Sequence, residues 1–321
     1  MHQTSRRQTL TALSLAVLAP AAFAQVDKPI RFVLPNATGS GVDTITRAAQ
    51  AALAKALGHA VVVDNQPGAG GVLGLQTLAR SAPDGFTLGV VSNNVVIFPS
   101  VMKQLPFDMP GDFTPIAIVG STPIVIVANA KLAANNSKEF IALLKSKPGQ
   151  LNFGSGGNGT ILHLAGEMFL DEAGVTAKHI PYKGVGPMVT DLIGGQVDFA
   201  AVALPSVQQH IKSGALKAIG MTTAQRVAAA ADIPTFVEQG LPGYVMDAWF
   251  AVLGPKGLPA AEVKRVHEAL VAAFNDAGVK EAMAKQGNTI SISTPEQAAV
   301  AFRRELAKYA QLVKKAGLEV N

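Results

Sequence analysis

The chain contains no cysteine among its 321 residues, which excludes disulfides, iron–sulfur ligation and thiol catalysis. It has no Gly-x-Ser-x-Gly elbow and no His-Glu-x-x-His pair, so neither a strand-to-helix serine nucleophile nor a zinc protease helix is signalled. Its six histidines are dispersed without metal-site spacing. No sequence-adjacent nucleophile and base stand out, and there is no tandem repeat or low-complexity stretch. These absences lead us to expect a protein that is not an enzyme and that holds neither cofactor nor metal.

Long apolar runs are also missing. The only extended one, Leu10–Ala19, is interrupted by Thr11 and Ser14 and closed by Pro20, whereas a bilayer span needs about 18 or more apolar residues. With Arg6 and Arg7 before it and Ala22-Phe23-Ala24 after it, residues 1–24 read as a cleaved export signal. Ser5-Arg6-Arg7-Gln8-Thr9-Leu10 fits a twin-arginine signal and an ordinary secretory n-region equally, so both export routes stay open. Removing Arg6 and Arg7 lowers the basic count from 27 to 25 against 22 acidic residues, a net of +3. That is too little for a nucleic-acid surface and suits a mild attraction for anionic solutes.

What the sequence does have is glycine in telling places. Gly154-Ser155-Gly156-Gly157-Asn158-Gly159-Thr160 follows a short apolar run and opens a helical pattern with Leu162, Leu164, Ala165, Met168 and Phe169 on one face. A glycine turn at a helix start presents unpaired N–H groups, and the helix dipole adds positive potential there. Strand-like Ile30–Leu34 runs into a second such turn, Thr38-Gly39-Ser40-Gly41-Val42-Asp43. Two anion-binding helix starts suggest a ligand with two anionic ends. Gly154-x-Gly156-x-x-Gly159 also matches the dinucleotide fingerprint formally, but the acidic residues that follow, Asp171 and Glu172, fall at a helix end rather than after a second strand.

Strand-like runs at 61–63, 87–91, 116–119, 124–127, 196–203, 216–221 and 249–253 alternate with helical patterns at 43–57, 70–80, 137–147, 160–173, 185–193, 205–213, 259–277 and 294–316. Such alternation predicts parallel βαβ units. The chain looks able to cross between domains near Pro115–Ala128 and again near Gly243–Trp249, giving 25–128 plus 246–321 as one lobe and 129–245 as the other. A single αβ layer with both loops on one sheet edge is the alternative.

An ordered series of motifs then carries a family likeness. It comprises Gly39-x-Gly41-x-Asp43, Asp64-Asn65-Gln66-Pro67-Gly68-Ala69-Gly70-Gly71, Ala82-Pro83-Asp84-Gly85-Phe86-Thr87-Leu88, Asp112-Phe113-Thr114-Pro115 and the Gly154–Thr160 turn with His163-Leu164-Ala165. Pro181-Tyr182-Lys183-Gly184, Asp191-Leu192-x-x-Gly195-x-Val197-Asp198 and Gly240-x-Pro242-Gly243-Tyr244 continue it. Over nearly the whole chain after the signal, this resembles the Bug-type periplasmic receptors of tripartite tricarboxylate transporters. The resemblance implies an α/β, two-lobed periplasmic binding protein of type II topology, monomeric, closing on a small di- or tricarboxylate, aromatic ones included, and delivering it to a two-component membrane permease. An exported enzyme on the same fold, or a receptor for an amino acid, an amide or signalling, are the alternatives. In the family, loops matching 36–43 and 154–160 grip a carboxylate through backbone N–H groups, hydroxyls and water. Asn36-Ala37-Thr38-Gly39-Ser40-Gly41 departs from the family's aromatic, proline and triple-glycine pattern, and Tyr309 stands where a tryptophan is common.

The candidate ligand contacts are therefore Asn36, Thr38, Gly39, Ser40 and Gly41 in the first loop, and Ser155, Gly156, Asn158, Gly159 and Thr160 in the second. Ser155 and Thr160 have helix capping as the alternative role. Asp43 is either a helix cap or the group that orders the Gly39–Gly41 loop, since a carboxylate facing a ligand carboxylate repels it. Ser92, Asn93 and Asn94 end a strand and either donate to a carboxylate or form a turn. His163 either faces the cleft or packs beneath it. Tyr182 and Lys183 sit in a turn, where the lysine supplies positive potential or is simply solvated. Asp198 is a cleft residue or a structural acceptor, and Trp249 packs between domains or stacks on ligand.

Overall fold

The computed structural model describes residues 28–318, so the expected export signal lies outside the described residues. From the N-terminal side the elements are β1 (Ile30–Leu34), α1 (Gly41–Leu57), β2 (Val61–Asn65), α2 (Val72–Ala79), β3 (Thr87–Ser92) and α3 (Asn94–Val101). A long strand, β4 (Phe113–Asn129), leads to α4 (Ser137–Ser146), β5 (Asn152–Ser155), α5 (Ile161–Ala173), β6 (Lys178–Pro181) and α6 (Val185–Gly194). Then come β7 (Phe199–Ala203), α7 (Leu204–Lys212), β8 (Leu216–Met221) and β9 (Asp247–Pro255). The chain ends in α8 (Ala260–Asn275), α9 (Ala277–Lys285), β10 (Thr289–Ile290) and α10 (Pro295–Lys315).

The strand order is β2-β1-β3-β9-β4-β7-β5-β6, with β8 and β10 also paired to β4. It is two half-sheets sharing one strand. In the first, β1 runs parallel to β2 and β3, while β9 lies antiparallel between β3 and β4. In the second, β5 runs parallel to β6 and β7, and the end of β4 lies antiparallel between β7 and β8. β4 belongs to both: Phe113–Pro123 pair with β9, and Ile124–Asn129 pair with β7 and β8. The two apolar runs expected around Pro115–Ala128 are thus one strand.

The apolar faces explain the layers. Leu53, Ile45 and Ala49 of α1 pack with Val266 and Leu270 of α8 against Phe32 and Val252 on one face of the first half-sheet. The other face is covered by α2, α3 and α10, whose core continues into the second half-sheet through Ile124, Ile126, Phe153 and Phe199. Two elements differ from expectation. α3 replaces the expected turn, because Val95, Val96, Ile97 and Phe98 are all fully buried or nearly so and leave no polar face to mark a helical period. The helix expected over 259–277 is α8, and a further helix that the pattern did not mark, α9, follows it at once, capped by Asp276, which accepts from Gly278 N and Val279 N.

Candidate ligand-binding site

The first glycine turn is held by its own polar groups. Ser40, not Asp43, is the N-cap of α1; its Oγ accepts from Asp43 N at 3.3 Å. Asp43 reaches back, Oδ2 accepting from Gly39 N at 2.9 Å while Oδ1 accepts from Arg47 Nε at 2.8 Å. The carboxylate is therefore committed to ordering the Gly39–Gly41 loop.

The second turn is built the same way. Thr160 caps α5, accepting from His163 N at 3.3 Å and donating to Gly157 O at 2.8 Å. Ser155 Oγ accepts from Gly157 N at 3.2 Å and lies 2.7 Å from His179 Nε2. His163 Nδ1 accepts from Gly159 N at 3.2 Å, and its ring stacks on His179 with centroids 3.7 Å apart. Burial first, and the neighbouring His163 second, push His179 down to about 3. The sequence offered no nucleophile–base pair, and the structure makes one in Ser155–His179. Ser155 is 0% exposed and does not line the cavity described below, so the pair is built to hold the loop.

These turns meet at a cavity between the two half-sheets, and four more helices start there. Its lining includes Ser40, Gly41 and Val42 of α1, Gly70 and Gly71 before α2, and Ser92 and Asn94 around the start of α3. From the other side come Thr160, Ile161 and Leu162 of α5, Gly184 and Val185 of α6, and Ala203 before α7. Only α1 and α5 of these six carry a side-chain cap; α2, α3, α6 and α7 have none. First-turn N–H groups have no acceptor within their helix, so the uncapped starts leave donors and positive potential for a ligand. Lys183 is the one cationic residue in the lining, and no Asp or Glu is present in it. The remaining lining is largely apolar: Pro35, Ala37, Val42, Pro67, Val185 and Ala248. The cavity volume is about 70 Å³, room for a few water molecules.

Of the sequence candidates, Asn36, Ser40, Gly41, Ser92, Asn94, Gly156, Thr160 and Lys183 line this cavity. Thr38, Gly39 and Asn158 are exposed in their loops, Asp43 and Ser155 are buried, and Gly159 and His163 border a separate cavity with Val101 and Glu167. Asn93 is wholly buried behind the site, its Nδ2 donating to Tyr309 OH at 2.6 Å, which gives that tyrosine a structural task. Tyr182 OH donates to Asp191 Oδ2 at 2.8 Å, and burial together with that carboxylate pushes the phenol up to about 12. Asp198 sits at the opposite end of β5, accepting from Asn152 N at 2.7 Å. Trp249 packs edge-on against Phe302, and its neighbour Ala248 lines the cavity instead. Sequence reasoning did not single out Gly70, Gly71, Thr122, Val185 or Ala203 as site residues. Thr122 lies on β4 at the change of partners, 3% exposed, with Oγ1 lacking a hydrogen-bond partner.

The two sides are in contact. Ile161 N donates to Asn94 Oδ1 at 2.8 Å, and Ser206 Oγ donates to Gly39 O at 2.8 Å. Among the described residues no cluster of three or more His, Asp or Glu is placed to hold a metal, and no helix is long and apolar enough to cross a membrane.

Comparison with known proteins agrees with this architecture. BugT of Bordetella pertussis is 35% identical over 91% of this chain and 90% of its own length. The solved periplasmic binding protein BugD is 32% identical, with TM-score 0.87 over 91% of this chain and 98% of that one. An R. palustris protein solved with adipate is 26% identical, with TM-score 0.85 over 89% of this chain and 97% of that one. MatC of Rhodopseudomonas palustris, solved with bound malate, is 28% identical with TM-score 0.80, covering 88% and 99% of the two chains. Residues 45–318 match the tripartite tricarboxylate transporter family receptor model, so the chain, with its two half-sheets around one helix-ringed cavity, belongs to that family of Bug-type periplasmic binding proteins.

Proposed function

We propose that this receptor captures a small organic dicarboxylate by closing its lobes on it and presents it to the membrane components of a tripartite tricarboxylate-type transporter. The observation that carries the reading is the convergence of six helix N-termini, three from each half-sheet, on one cavity. Each interacts favourably with an anion by roughly 0.3–1 kcal/mol, more where partly buried. Hydrogen bonds to a charged acceptor add roughly 1.5–3 kcal/mol each, so a handful reaches the about −8 kcal/mol of micromolar binding. Three helix starts on each side suit an anion at each end, and the apolar lining between them suits a carbon chain. Only a closed form satisfies both ends, so the ligand drives closure.

We take the hinge to lie where β4 exchanges β9 for β7 and β8, between Pro123 and Ile124, so that residues 124–128, expected in the first lobe, go with the second. An amino-acid ligand is disfavoured, because its ammonium would find no carboxylate in the lining and Asp43 and Asp198 are engaged elsewhere. The relatives seen with adipate and with malate supply the first probes. Thermal melts of the protein with malate, adipate, citrate and acetate test the reading. At a hundredfold excess over Kd a true ligand adds about 2.7 kcal/mol, a shift of several degrees. Melts unmoved by every carboxylate, together with flat calorimetric titrations, would overturn it.

A further inference from the structure

We propose that Asn94 couples ligand to closure, with one end of its amide latching the two lobes together and the other reading the ligand's carboxylate. The inference rests on the binding reading above. Asn94 is the first residue of α3, on the first half-sheet, and is 7% exposed. Its Oδ1 accepts from Ile161 N at 2.8 Å, across the cleft, at the first position of α5. That N–H is one of the orphan donors of the α5 N-terminus, so Asn94 caps a helix of the opposite lobe. The same lobe's Thr160 already serves the donor two positions on, at His163 N, so the two caps divide the first turn of α5 between them.

The donor at Ile161 fixes the orientation of the amide. An N–H can bond only the carbonyl oxygen, so the NH2 group of Asn94 is the end turned away from α5. Asn94 belongs to the cavity lining, beside Ser92 and Thr122. Its two remaining donors are the only part of the side chain left for a ligand. They join the N–H groups of the uncapped helix starts, all of one polarity and all suited to carboxylate oxygens. A ligand held by that NH2 group therefore also holds the carbonyl end in place for Ile161, and the latch and the ligand reinforce one another.

The geometry separates the two roles by substitution. Asn94→Asp keeps an oxygen for Ile161 N and strengthens that bond, since a carboxylate at a helix N-terminus gains both charge assistance and dipole. It also removes the NH2 donors and places a negative charge in the anion's cavity. Asn94→Ala removes both functions. The absence of native cysteine lets a label pair be introduced at Lys55→Cys and Lys145→Cys, one exposed site in each lobe, for distance measurement by pulsed electron paramagnetic resonance. We expect ligand-free Asn94→Asp to shift at least tenfold toward the short distance relative to the unsubstituted chain, and Asn94→Ala to shift away from it. Calorimetry with malate and adipate should show at least tenfold weaker binding for both variants. Ligand-free distances that are the same in all three proteins would overturn the latch. Asn94→Asp binding a carboxylate as tightly as the unsubstituted chain would overturn the reading role. If no carboxylate binds the unsubstituted chain, the dicarboxylate reading fails, while the ligand-free distances still decide the latch.

Discussion

Acidification should destabilise this protein through one half-buried imidazole, and the size of the effect can be worked from the packing. The His179 ring packs against Phe153, with centroids 4.8 Å apart, and stacks on His163, with centroids 3.7 Å apart. Its Nε2 meets Ser155 Oγ at 2.7 Å. A proton on this ring gains little from water and faces a second imidazole, which is why its pKa falls to about 3. The folded pKa lies below the unfolded value near 6.5, so the fold holds the neutral form. Stability from this site is full above about pH 6.5 and is lost as pH falls toward about 3, because the unfolded chain takes up a proton that the folded chain refuses. Each pH unit in that window costs up to about 1.4 kcal/mol. From pH 7.5 to 5.0 the ideal loss is about 2 kcal/mol, and partial solvent access to the ring reduces it to about 1 kcal/mol.

The measurement is a pair of thermal melts, at pH 7.5 and 5.0, on the unsubstituted protein and on His179→Gln. Glutamine reaches Ser155 with an amide nitrogen and cannot titrate in this range. Ionisable groups remote from the pair are shared and cancel in the double difference, which reports the His163–His179 pair. The unsubstituted protein should lose about 2–4 °C more than the variant on acidification. Equal losses in both would mean that the fold does not exclude a proton from His179, and the account of the buried pair would be wrong.

Two further substitutions probe closure and its scaffold. Gly184 starts α6 with φ at 128°, and a Cβ there would lie 2.5 Å from Ala37 Cβ across the cleft; Gly184→Ala should weaken carboxylate binding at least tenfold in calorimetry, and lower Tm by a few degrees through backbone strain of about 1–3 kcal/mol. Tyr309→Phe removes the nearer acceptor of Asn93 Nδ2 behind the site, leaving the fully buried amide only Asp247 O at 3.4 Å; the cost of about 1 kcal/mol should lower the melting temperature measurably, and an unchanged Tm would show that the bond contributes nothing.

The sequence carried the alternation of strand and helix because each buried strand is an apolar run bounded by glycine, proline or a capping residue. It lost α3, where nearly complete burial erases the helical period, and α9, a short helix that starts at the cap Asp276 directly after α8. The two glycine turns were legible because their chemistry is local: Ser40, Asp43 and Thr160 bond within a few residues of themselves. The starts of α6 and α7 carry a weaker local signal, since their caps are Gly184 and Ala203 and make no side-chain bond. Their place in the site follows instead from topology. Helices α1, α2 and α3 follow β1, β2 and β3, and α5, α6 and α7 follow β5, β6 and β7. Within each triplet the strands are parallel, so all three helices begin at the same sheet edge, the edge where ligands of open α/β sheets bind. Two such edges make one site only because β4 is shared by the half-sheets and β9 runs beside it, turning the edges toward each other. Parallel alternation is written in local pattern. The facing of the edges depends on a strand whose partners lie roughly 70 or more residues away, and no local periodicity encodes that.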